Sequence, residues 1–180
     1  MKELALHILD IAQNSIAAGA TQIKIEINEA VELNLLEITI SDNGHGMDEV
    51  ELKKAIDPFY TSRTTRRVGL GLSLLKLAAE QCEGDLTITS EKGVGTVVKV
   101  TFKHNHIDRV PLGNITDTLI TLIHANANID YLYIHYYNSK KIYFDTREIK
   151  EVLKEVEITN IQVLSWLRQQ IDYELKELVK

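Results

Sequence analysis

The stretch EITISDNGHG, residues 37–46, joins a strand pattern to a glycine-rich turn. From residue 37 to 42, isoleucines alternate with polar residues, which is the period of a strand with one buried face. This strand ends at Asp42. Because an ionised carboxylate only accepts hydrogen bonds, Asp42 at the base of a pocket suits the exocyclic amine of adenine and opposes the carbonyl group of guanine. The stretch is therefore a candidate purine site that prefers ATP to GTP.

The two glycines of this stretch allow the backbone to approach a ligand closely. Gly44 and Gly46 lack Cβ, so the chain can adopt positive φ there and lie against a flat base. Asp-Asn-Gly after a strand is also an ordinary hairpin turn, and for this tripeptide alone the turn is the more common meaning. The interpretation as a binding site therefore depends on other segments.

An amphipathic helix is predicted near the amino terminus. Its apolar face is marked at intervals of three and four by Leu4, Ile8, Ile11 and Ser15, and a neighbouring stripe holds His7, Asp10 and Asn14. An amide oxygen is a ligand that Mg²⁺ accepts, so Asn14 is a candidate metal ligand. Asp10, one turn earlier, is a candidate base for a water or a substrate hydroxyl. The alternative is that both side chains simply occupy the solvent-exposed side of the helix. We assign His7 to that side as well, or to a satisfied hydrogen bond at the helix edge.

A basic run precedes a second glycine pair. The sequence TSRTTRRVGLGL, residues 61–72, places Gly69 and Gly71 at the start of a helix predicted through about Cys82. Backbone N–H groups at a helix N-terminus lack intrahelical partners and bind phosphate oxygens. The arginines add charge-assisted bonds, so we expect a lid that orders over the nucleotide. A Rossmann turn would need a strand directly before Gly69, and a Walker loop would need Gly-Lys-Ser or Gly-Lys-Thr, neither of which the sequence offers.

Taken in order, these segments resemble the GHKL superfamily, which comprises the ATP-binding domains of gyrase, Hsp90, sensor histidine kinases and MutL. The resemblance covers about residues 1–104. It implies Mg²⁺-ATP as the ligand and an α/β fold, the two-layer α/β sandwich called the Bergerat fold. Helices would cover one face of a mixed, mainly antiparallel sheet. The expected strands are residues 21–28, 34–42, 85–91 and 95–103.

The resemblance also implies roles for individual residues. Asn14 would bind Mg²⁺, Asp42 would accept from the adenine amino group, Gly46 would lie against the base, and Thr96 would assist near adenine. A Pro-Phe-Tyr sequence, residues 58–60, looks like the F-box that precedes the lid in histidine kinases. The full set of expected nucleotide contacts is Asn14, Asp42, Gly44, Gly46, Met47, Phe59, Thr61, Arg63, Arg66, Gly69, Leu70, Gly71, Leu72 and Thr96.

One departure from the family pattern concerns the chemistry. Gyrase and MutL carry Glu four residues before the Mg²⁺ asparagine, whereas this chain carries Asp10, whose side chain is one methylene shorter. Because a general base must come within hydrogen-bond reach of its proton, hydrolysis could be weak. We expect a protein kinase of the histidine-kinase or anti-sigma-factor serine-kinase type. The alternative is a nucleotide-dependent conformational switch or slow ATPase without transfer to protein.

The composition of the chain limits its expected cellular location and the classes of partner that it can bind. The chain has 180 residues, a net charge of −6 and 44% hydrophobic residues, and it offers neither a long apolar segment nor a secretory pattern. We therefore expect a cytoplasmic protein without a membrane partner. With a pI near 5.5, a broad phosphate-tracking surface is not expected, which disfavours nucleic acid as a partner.

A change of pattern near residue 107 suggests a second unit. We predict an ATP-binding domain over residues 1–106 and a small α+β extension of unknown role over residues 107–180. The extension should contain a helix over 114–126 and a tyrosine-rich strand over 129–137, whose tyrosines we assign to packing rather than recognition.

The whole chain is similar to small stand-alone histidine-kinase-like ATP-binding proteins of anaerobic bacteria, some of them associated with hydrogenase systems. No phosphoacceptor helix precedes residue 1, so we expect the acceptor to lie on a protein partner, with a redox or hydrogenase system as its context. The sequence leaves the oligomeric state open.

Overall fold

The computed structural model describes residues 3–56 and 70–180. Its helices are α1 (Leu4–Ala17), α2 (Glu49–Ile56), α3 (Leu70–Gln81), α4 (Ile115–Ala125), α5 (Thr146–Leu153) and α6 (Ile161–Leu178). Its strands are β1 (Gln22–Ala30), β2 (Leu35–Asp42), β3 (Leu86–Glu91), β4 (Gly95–Lys103), β5 (Asp130–Tyr137) and β6 (Lys140–Asp145). Within the described ranges, none of these helices combines the length and apolarity of a membrane span.

The strands form one sheet in the order β3-β4-β2-β1-β5-β6. Only β1 and β5 are parallel among neighbouring strands, while the other four pairs are antiparallel. The predicted mixed, mainly antiparallel sheet is therefore confirmed, and the four strands expected from the sequence correspond to β1–β4.

One face of the sheet is buried and the other carries polar side chains. On the buried face Ile25 of β1 lies opposite Ile40 of β2 and Tyr133 of β5. All three belong to a single hydrophobic core that also includes residues of α1, α3, α4 and α6. On the opposite face, Lys99 pairs with Glu37 at 2.7 Å. This alternation produces the two-layer arrangement that was predicted.

The C-terminal part extends the same sheet. Every residue of β5 pairs with β1, from Gln22 opposite Asp130 to Glu29 opposite Tyr137. The sheet expected for residues 1–106 was therefore incomplete, because parallel pairing between segments so distant in the chain leaves no local sequence signal. The domain boundary after residue 106 stays a prediction, but it separates neither two sheets nor two cores.

The start of the predicted extension also supports α1. The first backbone N–H groups of a helix have no intrahelical partner. Leu4 N–H donates to the carbonyl of Pro111 and Ala5 N–H donates to that of Leu112, at 3.0 and 2.8 Å. Residues of the predicted extension thus accept the hydrogen bonds of the first turn of the helix that carries Asp10 and Asn14.

Packing was predicted for all four tyrosines of β5, and two of them are buried in the core while Tyr136 and Tyr137 are partly exposed. Tyr131 and Tyr133 are each 1% exposed. Burial, and after it the charge of Glu29, raises the pKa of Tyr133, so its hydroxyl stays protonated. That hydroxyl lies 2.8 Å from Nδ1 of His135, which is also buried.

A polar network continues from His135 across the far end of the sheet. Glu29 of β1 lies 2.9 Å from Nε2 of His135 through one carboxylate oxygen and 2.9 Å from Nε2 of His104 through the other. The Tyr133 hydroxyl donates to Nδ1 of His135, and each histidine donates from Nε2 to one oxygen of Glu29, so the buried Tyr133 hydroxyl and both Glu29 oxygens have partners. The network links β1, β5 and the end of β4.

We predict that Glu29→Gln destabilises the fold by about 1–3 kcal/mol, because the amide cannot accept from both histidines. Burial alone would raise the pKa of Glu29, but the bonds from His135 and His104 outweigh it and lower the pKa below its ordinary 4.5. A lowered carboxyl pKa stabilises the fold above pH 4.5, and this contribution is lost as the pH falls through the folded-state pKa.

Denaturant unfolding between pH 3 and 7 checks this prediction. Wild type should lose more stability than Glu29→Gln as the pH drops below about 4.5. Glu37→Gln, which breaks an ion pair on the solvent face, is the matched control and should cost at most about 1 kcal/mol. Parallel pH profiles for wild type and Glu29→Gln would show that the network contributes nothing to stability.

Candidate functional site

A cavity of about 300 Å³ lies where β2 ends, between α1, α3 and the strands β3 and β4. Its size is that of a small-molecule site with a mostly apolar lining. The lining residues are Ile11, Asn14, Ser15, Ala17, Ala18, Asp42, His45, Gly46, Met47, Ala55, Leu72, Ile88, Thr96 and Val98. Six of the predicted contact residues, Asn14, Asp42, Gly46, Met47, Leu72 and Thr96, are therefore brought together.

Asp42 is held in place by two donors. Ser15 Oγ–H donates to Oδ2 of Asp42 at 2.6 Å, and the backbone N–H of Gly44 donates to Oδ1 at 2.9 Å. Ser15 is only 4% exposed. An ionised carboxylate offers about four lone-pair sites, so two bonds leave acceptor capacity for a ligand donor in the cavity. The carboxylate is thus fixed in orientation and still able to accept.

The turn after β2 is not a hairpin, because the chain continues from Asp42 into α2. Asn43 fastens the turn to the start of β1: its Oδ1 accepts from the backbone N–H of Thr21 and of Gln22, both at 2.9 Å. The stretch is therefore not the hairpin turn that its sequence allowed, and its role in binding stays a prediction.

The two glycines of the turn have different functions. Gly46 has φ of +63°, and a Cβ there would lie 2.0 Å from the carbonyl oxygen of Glu91. Gly44 does not have positive φ, contrary to the expectation. A side chain is excluded there because a Cβ would lie 2.9 Å from the Cβ of Ala18. Gly46 therefore brings the loop against the end of β3, while Gly44 brings it against α1.

Ser90 of β3 connects the loop after β2 to strand β4. Ser90 Oγ accepts from the backbone N–H of Met47 at 2.8 Å and lies 2.8 Å from Oγ1 of Thr96. Thr96 is the direct cross-strand partner of Asp42. These contacts place Met47, Thr96 and Asp42 around one end of the cavity.

Asn14 and Asp10 lie one turn apart on α1. Asn14 lines the cavity, and its amide makes no side-chain hydrogen bond to any residue in the described ranges. Asp10 does not line the cavity but faces the first turn of α3, where a Cβ on Gly71 would lie 3.3 Å from its Oδ2. The absence of a side chain at Gly71 therefore makes room for the Asp10 carboxylate beside a helix N-terminus.

Comparison with known proteins identifies the family. The profile of histidine kinase-, DNA gyrase B- and HSP90-like ATPases matches residues 2–106, more than half of the chain. The chain belongs to this family. The residues that line the cavity all lie within the matched range, and the predicted family and fold are confirmed.

Relatives of this histidine-kinase-like domain include complete sensor kinases. The chain is 36% identical over 103 residues to the tetrathionate sensor histidine kinase of Salmonella typhimurium, which covers 55% of this chain and 17% of that protein. It is 34% identical over 101 residues to sporulation kinase E of Bacillus subtilis, which covers 56% of this chain and 13% of that protein. The chain therefore spans less than a fifth of the length of these relatives.

A solved structure shows the same fold. The MutL ATPase domain of Aquifex aeolicus, complexed with ADP, matches with a TM-score of 0.55 and 15% identity, covering 86% of this chain and 70% of that chain. At this identity the likeness concerns the fold alone. Because the family profile ends at residue 106, 86% coverage means that the shared fold continues into the C-terminal part.

Part of the predicted site lies outside the described residues. These positions are Phe59, Thr61, Arg63, Arg66 and Gly69. Leu70 begins α3, and its side chain is likewise outside the description. The roles of all six stay predictions from the family resemblance.

The buried position of Ser15 on the apolar face of α1 is confirmed, but its contact with Asp42 and the burial of His7 were not predicted. Ser15, assigned to the apolar face, is the donor that fixes Asp42; a lone hydroxyl among apolar positions was the available signal. His7, assigned to the wet side or to a satisfied hydrogen bond, is 4% exposed and its Nδ1 has no hydrogen-bond partner in the described structure. Burial lowers the pKa of His7, so its imidazole is neutral at pH 7.

We predict that Asp42→Asn weakens ATP binding by about 1.5–3 kcal/mol, the cost of losing a charged hydrogen bond. The amide presents both a donor and an acceptor, so it no longer discriminates against guanine. Calorimetric titration with Mg²⁺-ATP and Mg²⁺-GTP measures both effects. Unchanged ATP affinity in Asp42→Asn would disprove the adenine assignment.

We predict that Ser15→Ala weakens ATP binding by about 0.5–1.5 kcal/mol, because the Asp42 carboxylate loses the bond that orients it. Ser41→Ala is the matched control: Ser41 adjoins Asp42 in β2 but does not line the cavity. Its affinity should equal that of wild type. Equal losses in the two variants would mean that the Ser15 bond is not specifically required.

Proposed function

We propose that the chain binds Mg²⁺-ATP and acts as a protein kinase of the histidine-kinase or anti-sigma-factor serine-kinase type. The observation that carries this proposal is the oriented Asp42 carboxylate at the base of an apolar cavity. The adenine amine would donate to Asp42, and Gly46, Met47 and Thr96 would surround the base. The triphosphate would then extend toward Asn14 and the first turn of α3.

The residues present fit a magnesium ion at the phosphates. The Asn14 amide oxygen is a suitable ligand for Mg²⁺ and is not engaged with another described side chain. Asn14 would hold the ion. When bound, Mg²⁺ would supply charge neutralisation for the phosphate oxygens.

The position of Asp10 supports transfer chemistry beside the phosphates. Backbone N–H groups of the first turn of α3 would bind phosphate oxygens, and Asp10 faces this turn at Gly71. The acceptor atom would form a bond to the γ-phosphorus, and the bond from that phosphorus to the ADP oxygen would break, leaving its electron pair on ADP. Asp10 would take the proton of a hydroxyl acceptor or orient an imidazole acceptor.

We place the acceptor on a partner protein in the cytoplasm, in the context of a redox or hydrogenase system. The relatives that are named as kinases support a protein acceptor, although the matched region is a small portion of each of them. The net charge of −6 does not favour nucleic acid as a partner.

A switch or slow ATPase is the second candidate, and the length of the Asp10 side chain favours it. The Asp10 side chain is one methylene shorter than glutamate and lies against Gly71. With this shorter carboxylate the protein could bind nucleotide and close the site without activating a nucleophile. ATP would then change the affinity for a partner through closure alone.

Phosphoryl transfer to a protein distinguishes the two candidates. The full-length chain is incubated with γ-labelled ATP and an extract of its source cells, and labelled proteins are separated and identified. A kinase labels a partner protein, whereas a switch or slow ATPase labels none.

We predict that Asp10→Asn lowers the transfer rate by about 100-fold or more, the usual contribution of a general base, while ATP affinity stays within about twofold of wild type. The matched control is Asp108→Asn, an exposed aspartate outside the cavity, which should transfer at the wild-type rate. Wild-type transfer by Asp10→Asn would exclude Asp10 as the base.

A further inference from the structure

The edge strand β6 presents a surface with no strand partner in the described part of the chain. Lys141 and Tyr143 lie on the solvent face of the sheet, and Ile142 and Phe144 lie on the helix face, where Phe144 packs against the core. Tyr143 is 57% exposed. An open edge of this kind can accept another strand through backbone hydrogen bonds.

Helix α6 runs along this edge, and a cavity of about 350 Å³ lies between them. The cavity is lined by β6 residues 141–144 together with Gln170, Ile171 and Glu174 of α6. Gln170 and Glu174 are one turn apart and are joined by a hydrogen bond of 3.0 Å. This side of α6 therefore faces the open edge.

Two exposed aromatic residues continue the same side of α6. Trp166 precedes Gln170 by four residues and Tyr173 follows it by three, so all three share one stripe of the helix. Trp166 is 55% exposed and Tyr173 is 59% exposed. The opposite side of α6 faces α4, where Arg168 pairs with Asp117. The aromatic stripe thus points away from α4, next to the edge of the sheet.

We propose that a second copy of this chain occupies this edge, with β6 pairing antiparallel to β6 of the second copy about a two-fold axis. Directly opposed residues lie on the same face of a sheet, so a register centred on Tyr143 is allowed. It places Ile142 opposite Phe144 of the second copy on the helix face. On the solvent face, Tyr143 meets Tyr143 of the second copy.

This register of β6 keeps its lysines apart. An edge lysine ordinarily discourages strand pairing. Here Lys141 lies opposite Asp145 of the second copy rather than opposite another lysine. The Asp145 carboxylate is 8% exposed and already pairs with Arg147 at 2.6 Å, so the contact avoids repulsion between lysines but adds no new ion pair. Within its own chain the Lys141 ammonium lies 5.6 Å from the ring centroid of Tyr136 and 6.0 Å from that of Tyr143. Because Tyr136 belongs to β5, the lysine is directed toward the inner strand and leaves the open edge accessible.

The exposed aromatic area is consistent with a stable contact. A two-fold axis normal to the sheet puts both α6 helices on the same face, with their aromatic stripes turned toward each other. Trp166, Tyr173 and Tyr143 are each about half exposed, so six side chains from two copies would bury on the order of 600 Å². The paired β6 backbones and the residues that line the cavity would add to this buried area. The total then approaches the area of a specific interface.

The proposed interface leaves the nucleotide cavity free. That cavity lies at the end of β2, and β1 and β5 separate β2 from β6 in the sheet. Dimerisation and ATP binding can therefore be measured independently, and the failure of one proposal does not decide the other.

Sedimentation equilibrium of the full chain tests the dimer, and we expect twice the chain mass of 20.4 kDa. The double variant Trp166→Glu, Tyr173→Glu should dissociate at least tenfold more readily while binding Mg²⁺-ATP as wild type does. The control Ile107→Glu changes a residue that is 94% exposed and outside this surface, and it should remain dimeric.

A cysteine pair tests the register. Tyr143→Cys should form an intermolecular disulfide under mild oxidation, because opposed residues of antiparallel strands lie within disulfide range. Lys141→Cys is the control, since the two copies of residue 141 would be about 13 Å apart. The native Cys82 is buried, so its contribution to cross-linking should be small.

Three results would overturn the proposal. The first is a monomer for wild type at concentrations up to about 100 µM, a range that includes the dissociation constants of weak dimers. The second is a double variant that dimerises as strongly as wild type. The third is cross-linking of Lys141→Cys as fast as Tyr143→Cys. A monomer that instead binds an extended peptide at β6 would assign the edge to a different occupant.

Discussion

The hydrogen bond from Ser15 to the carboxylate of Asp42 is the interaction on which the nucleotide site depends. It joins the middle of α1 to the end of β2 at 2.6 Å, and the Gly44 N–H fixes the other carboxylate oxygen. A side chain held by two donors keeps its remaining acceptor sites pointed into the cavity without an entropic cost at binding. The same helix carries Asn14 and Asp10, so the element that orients Asp42, the proposed adenine acceptor, also presents the candidate phosphate residues.

The sheet explains how the C-terminal part supports this site. Parallel pairing of β5 with β1 places β1 inside the sheet rather than at its edge. The buried network through Glu29 and His135 holds that pairing at the end of the sheet opposite the cavity. The loop before α4 accepts bonds from the first turn of α1. The C-terminal part is therefore built into the same core as the ATP-binding domain.

Local patterns predicted much of this architecture. Alternating isoleucines located β2, and the unusual backbone of Gly46 follows from a close approach that only glycine permits. The sequence could not show that β5 joins β1, because register between distant segments depends on packing in three dimensions. Nor could it show that Ser15 bonds to Asp42, or that His7 is buried, since spacing identifies a helix face but not the partner that covers it.

We propose that the fixed Asp42 carboxylate selects adenine, and the nucleotide preference of the wild-type chain measures this selection most directly. Calorimetric titration should show binding of Mg²⁺-ATP and about 5- to 150-fold weaker binding of Mg²⁺-GTP, since opposed acceptors leave an unpaired buried group that costs about 1–3 kcal/mol. Equal affinity for the two nucleotides, or no uptake of either by folded protein, would contradict the claim.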